Sequence, residues 1–391
     1  MTATHTLPRW ARIVLALIGA LALIASTARA QGSDSPWKSN YLPYPATAPN
    51  DWPMLGLWYS YRQQADYYSR VRATGELTAD AGIAVHGSWR AALSFRAPEL
   101  WPKWRLAVIT GVAQDNRFGY FGLGNDAAKD KALEDSVAEY YRVKRLRYGG
   151  MAELSRELVP HLHVAIAAAG EYSKFSPEDG SSLFGSDFAG GEVTQSEASG
   201  RLSLVYDSRD KEFSPTKGLF IEASALGAAG LMSSTSGYGR YTLMARGFIS
   251  PRDGTVLSAR IGGSGTSGEP SFGARYEVPS WESQPLSTLG GVRSQRSLVE
   301  GRYAGRHVLL AGAEVRHDLL NAGDYGAVTL IAFLDAGRVF ENEPFKLTFD
   351  GMKVGGGGGV ALRALNFPTF TFNFAGGPDG FNFTAGTGWS F

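Results

Sequence analysis

Phe381-Asn382-Phe383-Thr384-Ala385-Gly386-Thr387-Gly388-Trp389-Ser390-Phe391 alternates without a break. Successive side chains of a strand point to opposite faces. The stretch therefore predicts a strand with Phe381, Phe383, Ala385, Thr387, Trp389 and Phe391 on one face. Asn382, Thr384, Gly386, Gly388 and Ser390 fall on the other. The same period recurs upstream. In Arg201 to Arg209, Leu202, Leu204 and Tyr206 oppose Arg201, Ser203, Asp207 and Arg209. In Val308 to Arg316, Leu309, Ala311, Ala313 and Val315 oppose Gly312, Glu314 and Arg316. Val328, Leu330, Ala332, Leu334 and Ala336 share a further face. Segments of about ten residues, apolar on one face and polar on the other, separated by turn residues, are the signature of a transmembrane β-barrel.

Sixteen such segments can be marked. They begin near Leu55, Gly75, Ser88, Trp104, Ala138, Gly150, Leu162, Gly200, Gly218, Tyr238, Thr255, Val308, Ala327, Lys353, Thr369 and Asn382. The expected fold is all-β: a 16-stranded antiparallel transmembrane β-barrel over 54–391 with a long, inward-folding sixth outer loop. A secreted β-sandwich also alternates. Against it, the outward sets are nearly free of charge. Trp58, Tyr59, Trp101, Trp104, Tyr140, Tyr141, Tyr148, Tyr238 and Tyr241 also gather at strand ends, as interfacial girdles would require.

Composition agrees. The 391 residues include 49 glycines and 12% aromatics, with no cysteine and a mean hydropathy of −0.14. A helical membrane protein would be far more apolar, and a disordered chain poorer in aromatics. The absence of cysteine excludes a disulfide scaffold, a thiolate metal site and a Cys nucleophile. With 38 basic and 37 acidic side chains there is no electrostatic footprint for nucleic acid.

The N-terminus reads as an address. Arg9 and Arg12 precede an apolar run from Ile13 to Ala25, and Ala28-Arg29-Ala30 supplies an A-x-A site. This predicts a cleaved signal peptide over 1–30, with the exported chain starting at Gln31. Pro36, Pro43, Pro45, Pro49 and Pro53 then predict an extended periplasmic lead-in over 31–53. An even strand count puts both termini on the periplasmic side. Phe175 to Glu197 and Gly265 to Arg306 are then outer loops.

The second of these leads into Gly290 to Leu320, GGVRSQRSLVEGRYAGRHVLLAGAEVRHDLL. It resembles the BamA/TamA family of outer-membrane assembly and translocation barrels, also called the bacterial surface antigen family. In that family the sixth outer loop carries an Arg-Gly-aromatic tip after GG-x-x-x-x-Arg, and G-R-x-x-G-R leads into strand twelve. Val205 to Asp210 with Pro215-Thr216-Lys217-Gly218 is similar to the family's D-x-R-D…P-x-K-G turn. Phe333 to Val339 is similar to its F-x-D-x-G strand, and Tyr120 to Asp126 to its Y-x-G-x-G-N turn. The glycine-laden strand Val354 to Leu362 fits as well.

The resemblance implies that Arg296 folds into the lumen and pairs with Glu314 and Asp335. Parity independently puts both acids on the lumenal face. A guanidinium between two carboxylates is charge-assisted and hard to replace by lysine. Two departures stand out. Arg296-Ser297-Leu298 replaces the family's Arg-Gly-aromatic tip, with Arg293 close by. The family's periplasmic receptor domains have no counterpart before the barrel. The resemblance then implies capture of substrate through a separate receptor-domain partner or at a seam between the first strand, near Leu55 to Arg62, and the last. The aromatic end that completes the last alternating strand predicts that Trp389 and Phe391 are read by the host barrel-assembly machinery. Location in the bacterial outer membrane among its lipids follows.

Enzymatic readings fare poorly. His161 and His163 share a face but lack a third metal ligand at suitable spacing. Gly355 to Gly359 lacks the Lys-Ser/Thr of a phosphate loop and reads as a bent strand approached closely by loop six. No cofactor is expected. Two functions remain: a barrel that assists insertion or translocation of proteins or lipids, and a passive structural barrel or small pore.

Overall fold

The computed structural model describes residues 37–391 except 66–68, 179–180, 233, 323–325 and 365–368. The expected signal peptide, with Ala28, Ala30 and Gln31, lies outside the described residues. The strands run β1 Trp37–Ala48, β2 Asp51–Gln64, β3 Ala73–Ala84, β4 Trp89–Trp101, β5 Trp104–Gly119, β6 Arg142–Val159 and β7 Leu162–Pro177. They continue β8 Val193–Asp207, β9 Gly218–Gly230, β10 Gly237–Arg252 and β11 Thr255–Glu269. After these come β12 Glu277–Ser280, β13 Ser283–Ser287, β14 His307–Asn321, β15 Gly326–Phe340, β16 Lys353–Ala364, β17 Phe370–Gly377 and β18 Gly380–Thr387. All but β12 and β13 form one sixteen-stranded sheet, each strand beside its neighbour in sequence, curled into a nearly closed barrel. β12 and β13 form a separate hairpin.

The alternation is what builds the wall. On β14, Ala313 and Val315 are exposed while Glu314 and Arg316 are buried. On β15, Leu330 and Leu334 face out and Ile331, Phe333 and Asp335 face in. On β8, Leu202, Leu204 and Tyr206 oppose Arg201, Ser203, Val205 and Asp207. Long connections (120–141, 178–192, 270–306 and 341–352) gather on one rim. The other rim carries tight turns such as 102–103, 160–161 and 253–254, and the longer 208–217.

The count of sixteen is right for two opposite reasons. The proline-rich lead-in contains a strand, β1, so the barrel starts at Trp37 rather than Met54. Pro43 and Pro45 have the same parity, so their missing donors fall on one edge, and β1 pairs with β2 alone. The segments expected to begin near Ala138 and Gly150 are one strand, β6. The seam accordingly lies between β1 and β18, and Leu55 to Arg62 belongs to the second strand.

The last residues also depart from the alternation. β18 stops at Thr387, and Gly388 takes φ +82 with its N–H donated to Thr369 O at 2.7 Å. Glycine alone adopts that turn freely. Trp389 and Phe391 therefore leave the outward face. Of the expected aromatic girdle, Trp58 and Tyr141 are buried and Tyr238 lies on the lumenal face with Arg240. Trp101 and Tyr241 remain exposed on the outside. His161 sits in the turn before β7 at φ +72, so it shares no strand face with the buried His163.

Candidate functional site: loop six, its clamp and the seam

Residues 270–306, the sixth connection on the long-loop rim, enter the lumen. Val278, Leu286, Leu289, Leu298 and Tyr303 pack there against Val308, Leu310 and Val339 of the wall. Polar anchors then fix the loop at several depths.

The clamp lies where β14 and β15 pass each other. Arg296 is 1% exposed. Its Nε donates to Asp335 Oδ2 at 2.8 Å and its Nη2 to Asp335 Oδ1 at 3.0 Å, a forked pair, while Nη1 reaches Glu314. Its guanidinium lies 3.5 Å from the Phe333 ring centroid. Arg293, the competing candidate, bonds Ser283 Oγ instead, at 3.0 Å. Each acid also has a second cation. Arg316 Nε is 2.5 Å from Glu314, and Arg260 Nη2 is 3.8 Å from Asp335. The altered tip fits its surroundings. Ser297 lies so close to β16 and β17 that a Cβ at Gly355 or Gly377 would overlap it, and Leu298 is fully buried.

The hairpin β12–β13 reaches the opposite rim. At its tip Glu282, a non-glycine at φ +47, bonds Arg96 Nε at 2.8 Å and Arg105 Nε at 2.7 Å. Both arginines also bond Glu212 in the 208–217 connection. The tip's backbone donors are accepted as well: Trp281 N–H by Glu222 and Glu282 N–H by Glu153, each at 3.1 Å. Burial alone would raise the Glu212 carboxyl, but Arg96 and Arg105 outweigh it and hold it below the usual carboxylate range. Asp210 in the same connection is also held low. Hydrogen bonds from the Thr216 hydroxyl and from backbone N–H groups overcome its burial.

The seam has no backbone ladder among the described residues. β1 and β18 end the sheet order without being hydrogen-bonded neighbours. Thr47 Oγ1 donates to Ala385 O at 2.9 Å, and Trp52 sits edge-on to Phe383 at 5.6 Å. Both margins are instead tied to loop six. Asn50, in the β1–β2 turn, donates to Glu300 O at 2.9 Å and accepts from Glu300 N–H at 3.0 Å. Asn382 on β18 donates to Arg296 O at 2.9 Å and Leu298 O at 3.1 Å. Arg302 also pairs with Asp379 in the β17–β18 turn. A chamber of about 510 Å³ lies between these margins and the loop, bordered by Asn50, Arg90, Arg147, Arg293 and Thr384.

The C-terminal residues turn into the same lumen. Trp389 Nε1 donates to Ser214 Oγ at 3.1 Å, and Arg316 Nη2 donates to Phe391 O at 2.8 Å. The Phe391 ring lies 4.8 Å from the Arg260 guanidinium. The structure brings the expected Arg296, Glu314 and Asp335 together; Glu282, Arg96, Arg105, Glu212, Asn50 and Asn382 were not singled out from the sequence. No local pattern marks them, since their partners lie far away along the chain.

The barrel's own loop thus enters its lumen and, among the described residues, no backbone ladder joins β1 to β18. The chain belongs to the Omp85 superfamily: the Omp85 superfamily domain matches residues 71–389. Barrels of this superfamily are outer-membrane proteins. Among solved structures, BamA from Haemophilus ducreyi lacking POTRA domains 1–3 is similar, with 15% identity, 90% of this chain and 70% of that one covered, and a TM-score of 0.53. CdiB from Escherichia coli is similar with 10% identity, 89% of this chain covered and a TM-score of 0.55. The match spans 61% of the CdiB chain. No curated protein matches the sequence.

Proposed function

We propose that this chain is an assembly or translocation barrel of the bacterial outer membrane, assisting proteins or lipids to insert at or cross that membrane along the β1–β18 seam. The observation that carries the reading is the seam itself. Its two edges lack a ladder, and both are tied to the loop that fills the lumen. Unpaired strand edges offer backbone donors and acceptors that can template an incoming strand. Arg296, Glu314 and Asp335 hold loop six in this reading. Trp389 and Phe391 serve as the signal read by the host assembly machinery, and the N-terminal signal peptide directs export and is removed after Ala30, leaving Gln31 as the first residue. The proposed partners are outer-membrane lipids and a separate receptor-domain protein. A passive pore fits less well, because loop six occupies the lumen from rim to rim.

The test is capture at the edge. A photo-crosslinking residue at Tyr41, which is 74% exposed on β1, should trap polypeptide in outer membranes. Sealing the seam with a T47C/A385C disulfide should abolish the adduct, and reduction should restore it. An adduct pattern indifferent to the seal would count against the reading.

A further inference from the structure

The 341–352 connection between β15 and β16 does not cap the lumen. It folds back over the outside of the wall. Leu309 and Phe340 have outward parity, as do Ile261 and Leu334, which are well exposed. Yet Leu309 is only 6% exposed and Phe340 only 2%. Phe345 covers them. Its ring lies 5.9 Å from that of Phe340, and its edge would be 2.8 Å from a Cβ on the outward-facing Gly263, the register partner of Leu309. Arg338, also outward, pins the segment by donating to Asp350 O and to Glu343 Oε2 at 3.2 Å.

Two large apolar side chains are then left without protein cover: Leu347 is 81% exposed and Phe349 90%. They lie beyond Phe345 on a loop held against a wall whose neighbouring outward positions, Leu334 and Val354, are exposed and apolar. The loop thus continues the lipid-facing surface. Single exposed apolar residues need no explanation, but an alternating Phe-x-Leu-x-Phe pinned to a membrane-facing wall does. Phenylalanine and leucine facing lipid, with polar residues between them, are how interfacial segments seat themselves in a bilayer.

We propose that Phe345 to Phe349 form a lipid anchor, with Leu347 and Phe349 seated among the acyl chains of the leaflet on the long-loop rim. Lys346 and Thr348 stay at headgroup level. The anchor fixes the β11, β14 and β15 sector, which carries the clamp acids, in the membrane.

The sequence has no cysteine, so L347C and F349C each place one environment-sensitive fluorophore. The proteins are reconstituted in phosphatidylcholine–phosphatidylglycerol vesicles. Heat-modifiable migration on gels shows insertion independently of what the label reports. Doxyl-labelled lipids should quench both labels severalfold more than aqueous iodide does, and D135C, on the exposed helix of another long connection, should show the reverse order. If iodide quenches the F349C and L347C labels as freely as the D135C label, and doxyl lipids leave them bright, the anchor does not exist. That outcome would also be expected if the patch were a docking site for a soluble protein.

Discussion

Asn50 and Asn382 hold the same loop from opposite margins of the seam. The first bonds the backbone of Glu300 and the second the carbonyls of Arg296 and Leu298. With no ladder between β1 and β18 among the described residues, these amides and the Thr47–Ala385 bond link the two margins, directly or through loop six. Loop six is thereby part of the seam as well as the plug of the lumen.

Asn50→Ala and Asn382→Ala should each loosen one margin. Leaving backbone groups unpaired costs about 1–3 kcal/mol per site. The double variant should form the T47C/A385C disulfide more slowly under mild oxidation, since the two margins are no longer held in register. An unchanged rate would mean that the seam is set by the strands alone.

Arg296→Ala removes a buried partner, a change that costs about 3–5 kcal/mol when nothing compensates. Arg316 and Arg260 remain beside Glu314 and Asp335, so the loss should fall towards the lower end. Arg296→Lys should recover part of it, because a point charge cannot fork to both oxygens of Asp335. Glu314→Gln with Asp335→Asn should itself destabilise, leaving three arginines facing amides. Arg296→Ala in that background should restore stability. Heat-modifiable migration checks all four. Arg293→Ala should be mild, and a larger effect from Arg293 than from Arg296 would misplace the clamp.

How much of this was legible in the sequence follows from range. The pairing of Arg296 with Glu314 and Asp335 was an expectation from the family resemblance, while strict alternation alone gave both acids their face. β1 was hidden because five prolines argue against a strand unless its free edge is known. β6 was split because Gly149-Gly150 resembles a turn. Its backbone is extended there, and a Cβ at Gly149 would strike Gly170 O of the next strand. The Glu282 latch joins elements more than 100 residues apart, which no local pattern announces.

Acid should loosen that latch. A carboxyl held low in the folded state stabilises it at pH values above the unfolded pKa, about 4.3 for glutamate. That stability is lost as pH falls through the lower folded value. Wild-type barrels should therefore expose the hairpin to added protease as pH drops below about 4. Glu212→Gln, already without the charge, should be looser at neutral pH and change less on acidification. Equal pH dependence in both would exclude the latch as the titrating element.

Phe391→Asp separates two roles of the terminal residue. In the folded barrel an aspartate would sit beside Arg260 and Arg316, so protein refolded in detergent should keep its heat stability. If the aromatic end is read during assembly, outer-membrane levels should fall sharply and the chain should accumulate in the periplasm. Normal outer-membrane levels would remove Phe391 from the assembly signal.

Single-channel recording in planar bilayers tests the central claim most directly: loop six closes the lumen, leaving the seam as the route. Wild-type protein should show only small, flickering currents, and a variant with residues 278–286 replaced by a short glycine linker should give large, steady steps. Large, steady conductance from the wild type, unchanged by the deletion, would contradict the account and identify an open pore.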